Sequence, residues 1–445
     1  MQDSVDFNTA HPDDSEYAFS KPQPLFDLLQ TSDQDRSAGA RTPAPIEKLP
    51  TELTQRVFLF TLPLLPYPYL PNILTEFEES DDDVQHINVA RLCLTHVCRT
   101  WRTIAHFTTY LWTTIAIDRP FPKDFTVVEE WFANAGTRSL DISFDPHIFM
   151  QHPLKLTTLL RQVMGRIRCL VTLHGIMNTS ILQELFPPGI IIEAPVMEAL
   201  RLHCGESHAP IGRINAPSLV YFHQDAAANT YAYLNPTPSL RSYAGSGTSL
   251  SFVVQCSRIT ELEVHLHRHI LPNGIGPVVL ETVQSLCLIP YLGTPNSSIL
   301  HFVQQIDVPS LTTLEVWMNN SWHDTVTCGH LLGIIAERYG GNLQHLEVGC
   351  AEFEGRSVVK DTFLKMPHLR TLTFASSILA GVYNALMPNP SPASPLSSWP
   401  CPELSKLRII NSTVTPDSIF NDLIRQRAVS NRTFGHPTIP IIEKV

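Results

Sequence analysis

Ten times between residues 167 and 411 the chain returns to one short pattern, Leu-x-x-Leu-x-apolar or a close variant, often just after a proline. The copies read IRCLVTLHG (167–175), APVMEALRLHC (194–204), APSLVYFHQ (216–224), TPSLRSYAG (237–245) and SRITELEVHL (257–266). They continue as TVQSLCLIP (282–290), VPSLTTLEVWM (308–318), GNLQHLEVGC (341–350), MPHLRTLTF (366–374) and CPELSKLRIIN (401–411). The alternation in LTTLEVWM and LQHLEVGC suits a short strand with one buried face. One such unit cannot bury its own apolar side. Stacked parallel strands share a continuous core, with the linking segments covering one side of it.

Aligned on their first apolar residues, at 167, 197, 219, 240, 259, 283, 311, 343, 369 and 404, the copies advance by 19 to 35 residues. Those steps surround the leucine-rich-repeat period, though less regularly than an ideal array. The longer steps leave room for helices. HDTVTCGHLLGIIAERYGG (323–341) carries Leu331, Leu332, Ile335, Ala336 and Tyr339 at helical spacing and stops at a Gly pair, and SVVKDTFLKM (357–366) is a second candidate. NPSPASPLSSWPCP (389–402) reads as an exposed loop. The expectation is an α/β leucine-rich-repeat-like solenoid, a horseshoe, over residues 135–425, followed by a C-terminal tail at 426–445.

The chain has 445 residues, 43% of them hydrophobic and 16% charged, enough for two or three domains with a sizeable core. Its formal net charge of -11 argues against phosphate neutralisation, so no nucleic acid and no membrane partner is expected. The 9 Cys contain no CxxC pair and read as buried thiols of a reducing compartment. Residues 1–45 are acidic and polar and read as a disordered tail without secretory features. VFLFTLPLLPYPYLPNIL (57–74) is apolar, but Pro63, Pro66, Pro68 and Pro71 remove the backbone donors a membrane span needs. The expected location is the cytoplasm, the nucleus or both.

Before the repeats lie two helical stretches. PIEKLPTELTQRVFLFTL places Leu49-Pro50 ahead of a first turn containing Glu52, followed by Leu53, Val57 and Phe58. The pattern then gives way to the Pro-rich run and to EFEESDDD (76–83), an exposed insertion spanning 63–86. A second helix is expected from Ile87 to Phe107, with Val89, Leu92, Cys93, Val97, Trp101, Ile104 and Ala105 as its apolar stripe and Arg91, Arg99 and Arg102 mostly elsewhere. A further turn, TTYLWTTIAID, brings Leu111, Trp112 and Ile115.

Sites for chemistry are sparse. HLHRH sets His265, His267 and His269 on one strand face, where imidazoles can bind a metal, but no supporting carboxylate or thiol is apparent nearby and a solvated triplet is the plainer expectation. AGSGTSLS (244–251) has neither a nucleophile elbow nor a phosphate cradle. No catalytic set, cofactor fingerprint or metal site is expected, so the chain reads as a non-catalytic protein. Trp317 either anchors a partner or packs in the core.

The residues Ile46, Leu49, Pro50, Glu52, Leu53 and Val57-Phe58, with Leu92, Val97-Cys98-Arg99, Trp101-Arg102, Ile104-Ala105 and Leu111-Trp112, form a two-part pattern. It resembles the F-box, the helical module that docks on the Skp adaptor of SCF ubiquitin ligases, and VCRTWRTIA follows that family almost position for position. The insertion at 63–86 is similar to those of F-box families in mushroom-forming fungi. The resemblance implies an F-box at 46–117 and an overall α+β organisation of helical module plus repeats. It implies that Leu49, Pro50, Leu53, Val57, Phe58, Leu92, Val97, Cys98, Trp101, Ile104, Leu111 and Trp112 bind Skp. It further implies a cullin scaffold in the same complex and a protein substrate held by the repeats and ubiquitylated. The alternative is a protein-interaction scaffold that serves no ligase.

Overall fold

The computed structural model describes residues 49–61, 88, 91–117, 125–151, 153–172, 177, 179–203, 212–225, 234–246, 250–266, 278–291, 293–318, 328–349, 358–375, 385–386, 400–410, 421, 423, 425 and 441–444. The tail at 1–45, the insertion at 63–86, His267 and His269 lie outside them. The chain separates into two units, Met1–Thr54 and Gln55–Val445.

Helix α1 (Thr51–Thr61) begins where the proline directs. Pro50 cannot donate, but its carbonyl accepts from the Leu53 and Thr54 amides at 3.0 Å each. Glu52 lies in the first turn, at the positive end of the helix dipole.

The single helix expected from Ile87 to Phe107 is instead interrupted. Helix occupies residues 91–96, Val97 and Cys98 leave it, and α2 (Arg99–Phe107) restarts. Cys98 is extended, and its Sγ accepts from the Trp101 amide at 3.4 Å, a sulfur cap in the place a serine or aspartate usually fills. Arg102 Nε donates to the Thr95 carbonyl at 2.8 Å and so closes the first helix where the second begins. Arg91, expected on the polar face, is buried. Loss of water pushes its guanidinium down to about 10, and the nearby Asp141 opposes that shift.

The tryptophan of the Leu-Trp pair closes α2. Its Nε1 donates to the Ala105 carbonyl at 2.8 Å, and the same carbonyl accepts from the Thr108 amide at 3.1 Å. Trp112 also meets Trp131 edge-on at 4.9 Å. A 3-10 turn (Thr109–Trp112) leads straight into a strand, where only a further turn was expected.

That strand opens a sheet of thirteen strands, all parallel and ordered as they occur in the chain. They are β1 (Thr114–Ile117), β2 (Leu140–Phe144), β3 (Ile167–Thr172), β4 (Ala199–His203), β5 (Tyr221–Asp225), β6 (Ser242–Ser246) and β7 (Glu261–Leu266). The rest are β8 (Ser285–Pro290), β9 (Thr313–Trp317), β10 (His345–Gly349), β11 (Thr371–Ala375), β12 (Lys406–Ile410) and β13 (Ile441–Lys444). The molecule is therefore α/β with a large parallel sheet.

The sheet starts upstream of residue 135 and ends inside the segment expected as a tail. Each of the ten repeated motifs supplies one strand, β3 to β12. The second Leu of the motif stands in register throughout: Leu170, Leu200, Phe222, Tyr243, Leu262, Leu286, Leu314, Leu346, Leu372 and Leu407 form one unbroken ladder. Every member is buried, and each such side chain contributes about 1.5–3 kcal/mol.

The prolines before the motifs have a structural reason. In Ala216-Pro217-Ser218-Leu219, Val308-Pro309-Ser310-Leu311 and Cys401-Pro402-Glu403-Leu404 the Leu amide donates to the first residue's carbonyl at 3.1 Å. Proline's fixed φ suits the second position of such a turn. Two residues later the strand begins.

Helices fill the long steps. Asn296–Gln305 buries Ile299, Phe302 and Val303, and Cys328–Tyr339 buries Leu331, Leu332, Ile335 and Ala336, all in one core with the leucine ladder. Tyr339 Oη and Arg338 Nη2 donate to the Ile306 carbonyl at 3.0 and 2.6 Å, pinning the end of one helix to the next. The second candidate helix is present at Val358–Leu364. The thiols divide: Cys169, Cys256, Cys328 and Cys401 are buried as expected, whereas Cys93 is exposed and Cys98 and Cys287 are half-buried.

Candidate functional site

Two surfaces stand out, one on the helices before the sheet and one on the sheet face turned away from the leucine ladder.

On the helices the expected adaptor-binding residues divide by depth. Phe58, Ile104, Leu111 and Trp112 are buried in the core, and Trp101 and Val57 are half-buried, with Trp101 4.9 Å from the Phe58 ring. Leu49, Pro50 and Leu53 are exposed in the first unit. Leu92 and Val97 are exposed in the second, and Cys98 is held as a cap. The buried members fix helix positions and cannot themselves be touched by a partner.

Others not singled out in the sequence are bare. Phe60 is 87% exposed, Phe107 77% and Tyr110 56%. Of fourteen large apolar side chains exposed among the described residues, six fall between Leu59 and Tyr110 in the second unit, and Leu49 and Leu53 are exposed in the first. Exposed apolar surface at that density marks an interface in proteins generally. The exposure of Phe60 and Phe107 was not legible, because Phe60 follows Leu53 and Val57, and Phe107 follows Ile104, at the spacing of an apolar stripe.

On the outer face of the sheet, the residue after each ladder position forms a second row. It runs Arg201, His223, Ala244, Glu263, Cys287, Glu315, Glu347, Thr373 and Arg408 on β4 to β12. Three carboxylates thus stand within four neighbouring strands, between an arginine at either end. Their charges bear on two groups in particular. Burial, and then Glu315, push the Glu347 carboxyl up against the pull of Arg408. Burial and the carboxylates of Glu315, Glu263 and Glu347 push the Cys287 thiol up. Trp317 lies on this face rather than in the core, with its Nε1 donating to Glu315. Gly349 beside it leaves the ring its place, since a Cβ there would collide with Trp317 Cε3.

The same face gathers imidazoles. His265 Nε2 lies 2.7 Å from Glu263 Oε1, and His223 Nδ1 lies 3.1 Å from Tyr221 Oη. The His223 ring is 5.9 Å from that of His265 and 6.0 Å from that of His203. One donor atom each from His223, Glu263 and His265 fall within 4.8 Å of one another. His265 therefore meets Glu263 along its own strand and His223 from two strands away. The carboxylate that seemed missing is Glu263, two residues upstream on the same face.

Among known proteins, no family model and no curated protein matches this chain. One solved structure that does match is a Bacteroides fragilis protein, a Northeast Structural Genomics Consortium target, at 12% identity and a TM-score of 0.35. The match covers 63% of this chain and 66% of that one, and it bears on neither activity nor partner. No helix among the described residues is long and apolar enough to cross a membrane.

Proposed function

We propose that the chain is the substrate-recognition subunit of an SCF-type ubiquitin ligase, a non-catalytic adaptor. In this reading its F-box docks on Skp, and the parallel strands form a leucine-rich-repeat-like solenoid whose outer face takes the substrate. The observation that carries the reading is the density of exposed apolar side chains on the helices that bear the two-part motif. The buried half of the motif supports it from beneath. Phe58, Ile104 and Trp112 set the helix positions, while Leu92 and Val97, with Phe60 and Phe107, offer the contact. For the substrate, the row of Glu263, Glu315 and Glu347 favours a basic segment of a partner by charge.

Deleting residues 46–115 would remove Trp112 and Ile115 from the core and test only folding. Surface substitutions are the sharper experiment. Intact chain is expected to co-purify with Skp and cullin from cells, and Leu92→Gln/Val97→Gln with Phe60→Gln/Phe107→Gln is expected to lose Skp while remaining folded. Skp binding that survives all four substitutions would reject this docking surface. Skp without cullin would identify the non-ligase scaffold instead.

A further inference from the structure

We infer that His223, Glu263 and His265 form a binding site for a divalent transition-metal ion of the zinc class. The inference does not depend on the ligase reading.

The sheet register builds the site. His223 on β5 and Glu263 on β7 are each paired with Ala244 on the strand between them. Neighbouring strands lie about 4.8 Å apart, so the two backbones are separated by roughly 10 Å. A methyl group on the intervening strand leaves space for the imidazole and the carboxylate to converge above it. His265 follows Glu263 by two residues on the same strand and so joins from the same face. The two imidazoles are buried and the carboxylate half-buried.

The donor atoms already stand close to a coordination polyhedron. Ligands held at about 2.0–2.2 Å in a tetrahedron are separated from each other by about 3.4 Å. Here the His265–Glu263 pair is at 2.7 Å and all three donors fall within 4.8 Å. An ion would take the place of the proton shared between His265 Nε2 and Glu263 Oε1, and small side-chain rotations would open one edge and close the others.

The second shell is present too. With His223 Nδ1–H donating to Tyr221 Oη, the Nε2 lone pair is directed to the ion, the arrangement metal-bound imidazoles usually show. Two imidazoles and one carboxylate select zinc-like ions over magnesium or calcium, which require oxygen ligands. Arg201, the register partner of His223, adds positive charge on the far side, which any bound cation must overcome through its ligands. Three protein ligands leave a fourth position for water or for a donor from a docked partner.

The test uses the full-length chain stripped with a chelator. Titration with Zn²⁺ by calorimetry is expected to show one equivalent bound, and Co²⁺ is expected to give a visible d–d absorption band of low-coordinate N/O ligation. Glu263→Gln and His265→Gln are each expected to weaken binding at least tenfold. Tyr221→Phe, which removes only the second-shell oxygen, is expected to weaken it by about tenfold. His345→Gln, three strands away from His265, is expected to leave it unchanged. Absence of stoichiometric binding by the intact chain would overturn the site. So would equal affinity in Glu263→Gln and the intact chain, a result that needs no buried histidine to be changed. In either case the cluster is only a hydrogen-bonded group within the sheet.

Discussion

The helices before the sheet and the sheet itself draw on the same apolar residues and leave them in opposite conditions. In the sheet, parallel pairing keeps each ladder position beside its neighbours, so the leucines from Leu170 to Leu407 are all buried. Around α2 the same kinds of side chain are split, with Ile104, Leu111 and Trp112 inside and Val97 and Phe107 outside. A repeat that supplies its neighbour's partner needs nothing from another chain on its inner face. A pair of short helices has no such supply, and its surplus is left for something else to cover.

The sheet carries its own surplus on its other face, in charge rather than apolar area. Glu263, Glu315 and Glu347 stand near one another in a row where alternation with lysine would have stabilised the sheet. Both surfaces depart from what the isolated chain's stability would favour. Functional surfaces are where such departures are expected.

The largest expected effect tests whether buried motif residues belong to the core. Trp112→Ala removes a buried indole, its bond to the Ala105 carbonyl and its contact with Trp131, and should cost about 3–5 kcal/mol in chemical denaturation. Leu346→Ala, inside the ladder between Leu314 and Leu372, should cost about 2–5 kcal/mol. Trp101→Ala, half-buried, should cost less than either. A Trp101 effect as large as that of Trp112 would erase the division of the motif into buried and presented halves.

A smaller effect, of opposite sign, should come from the acidic row. The Glu347 carboxyl is raised above its usual value near 4.5 in the folded chain, so folding binds a proton more tightly there. Its contribution favours the fold when protonated and is lost as pH rises through the raised value. Glu347→Gln should therefore be more stable than the parent at pH 7. The advantage should shrink towards zero as pH falls into the ordinary carboxylate range. Thermal unfolding of both proteins from pH 7 to 4 reads the difference, and a Gln variant less stable at pH 7 would mean that the glutamate pairs favourably.

Much of the sheet was legible because a period of two and a repeated leucine carry register as well as strand identity. Moving three residues on from each aligned position, 167 to 404, lands on the observed ladder at every strand from β3 to β12. β1 and β2 escaped because Trp112 and Ser139, not a leucine-like residue, stand three residues before Ile115 and Ile142; β13 has Ile439 three residues before Ile442, but IIEK is too short to show a pattern. The break at Val97-Cys98 was hidden because cysteine is not a usual cap residue. The His/Glu cluster was half legible. His223 and Glu263 share one row once the repeats are aligned, with His265 two residues beyond Glu263, but the small Ala244 that lets them meet has no meaning until the strand order is known.

The smallest expected change in stability belongs to the side chains that distinguish the helices most. Phe60 and Phe107 touch little of their own chain, so Phe60→Gln and Phe107→Gln should each move stability by no more than about 0.5 kcal/mol. The same substitutions should raise the solubility of the chain expressed alone, because each removes a large apolar group from water. A loss of several kcal/mol would place these rings in contact with the chain's own segments, and the apolar surface would then be part of the fold. Neutral stability with improved solubility would instead leave the two phenylalanines as surface kept for a partner, the opposite condition from Leu346 under the same kind of truncation.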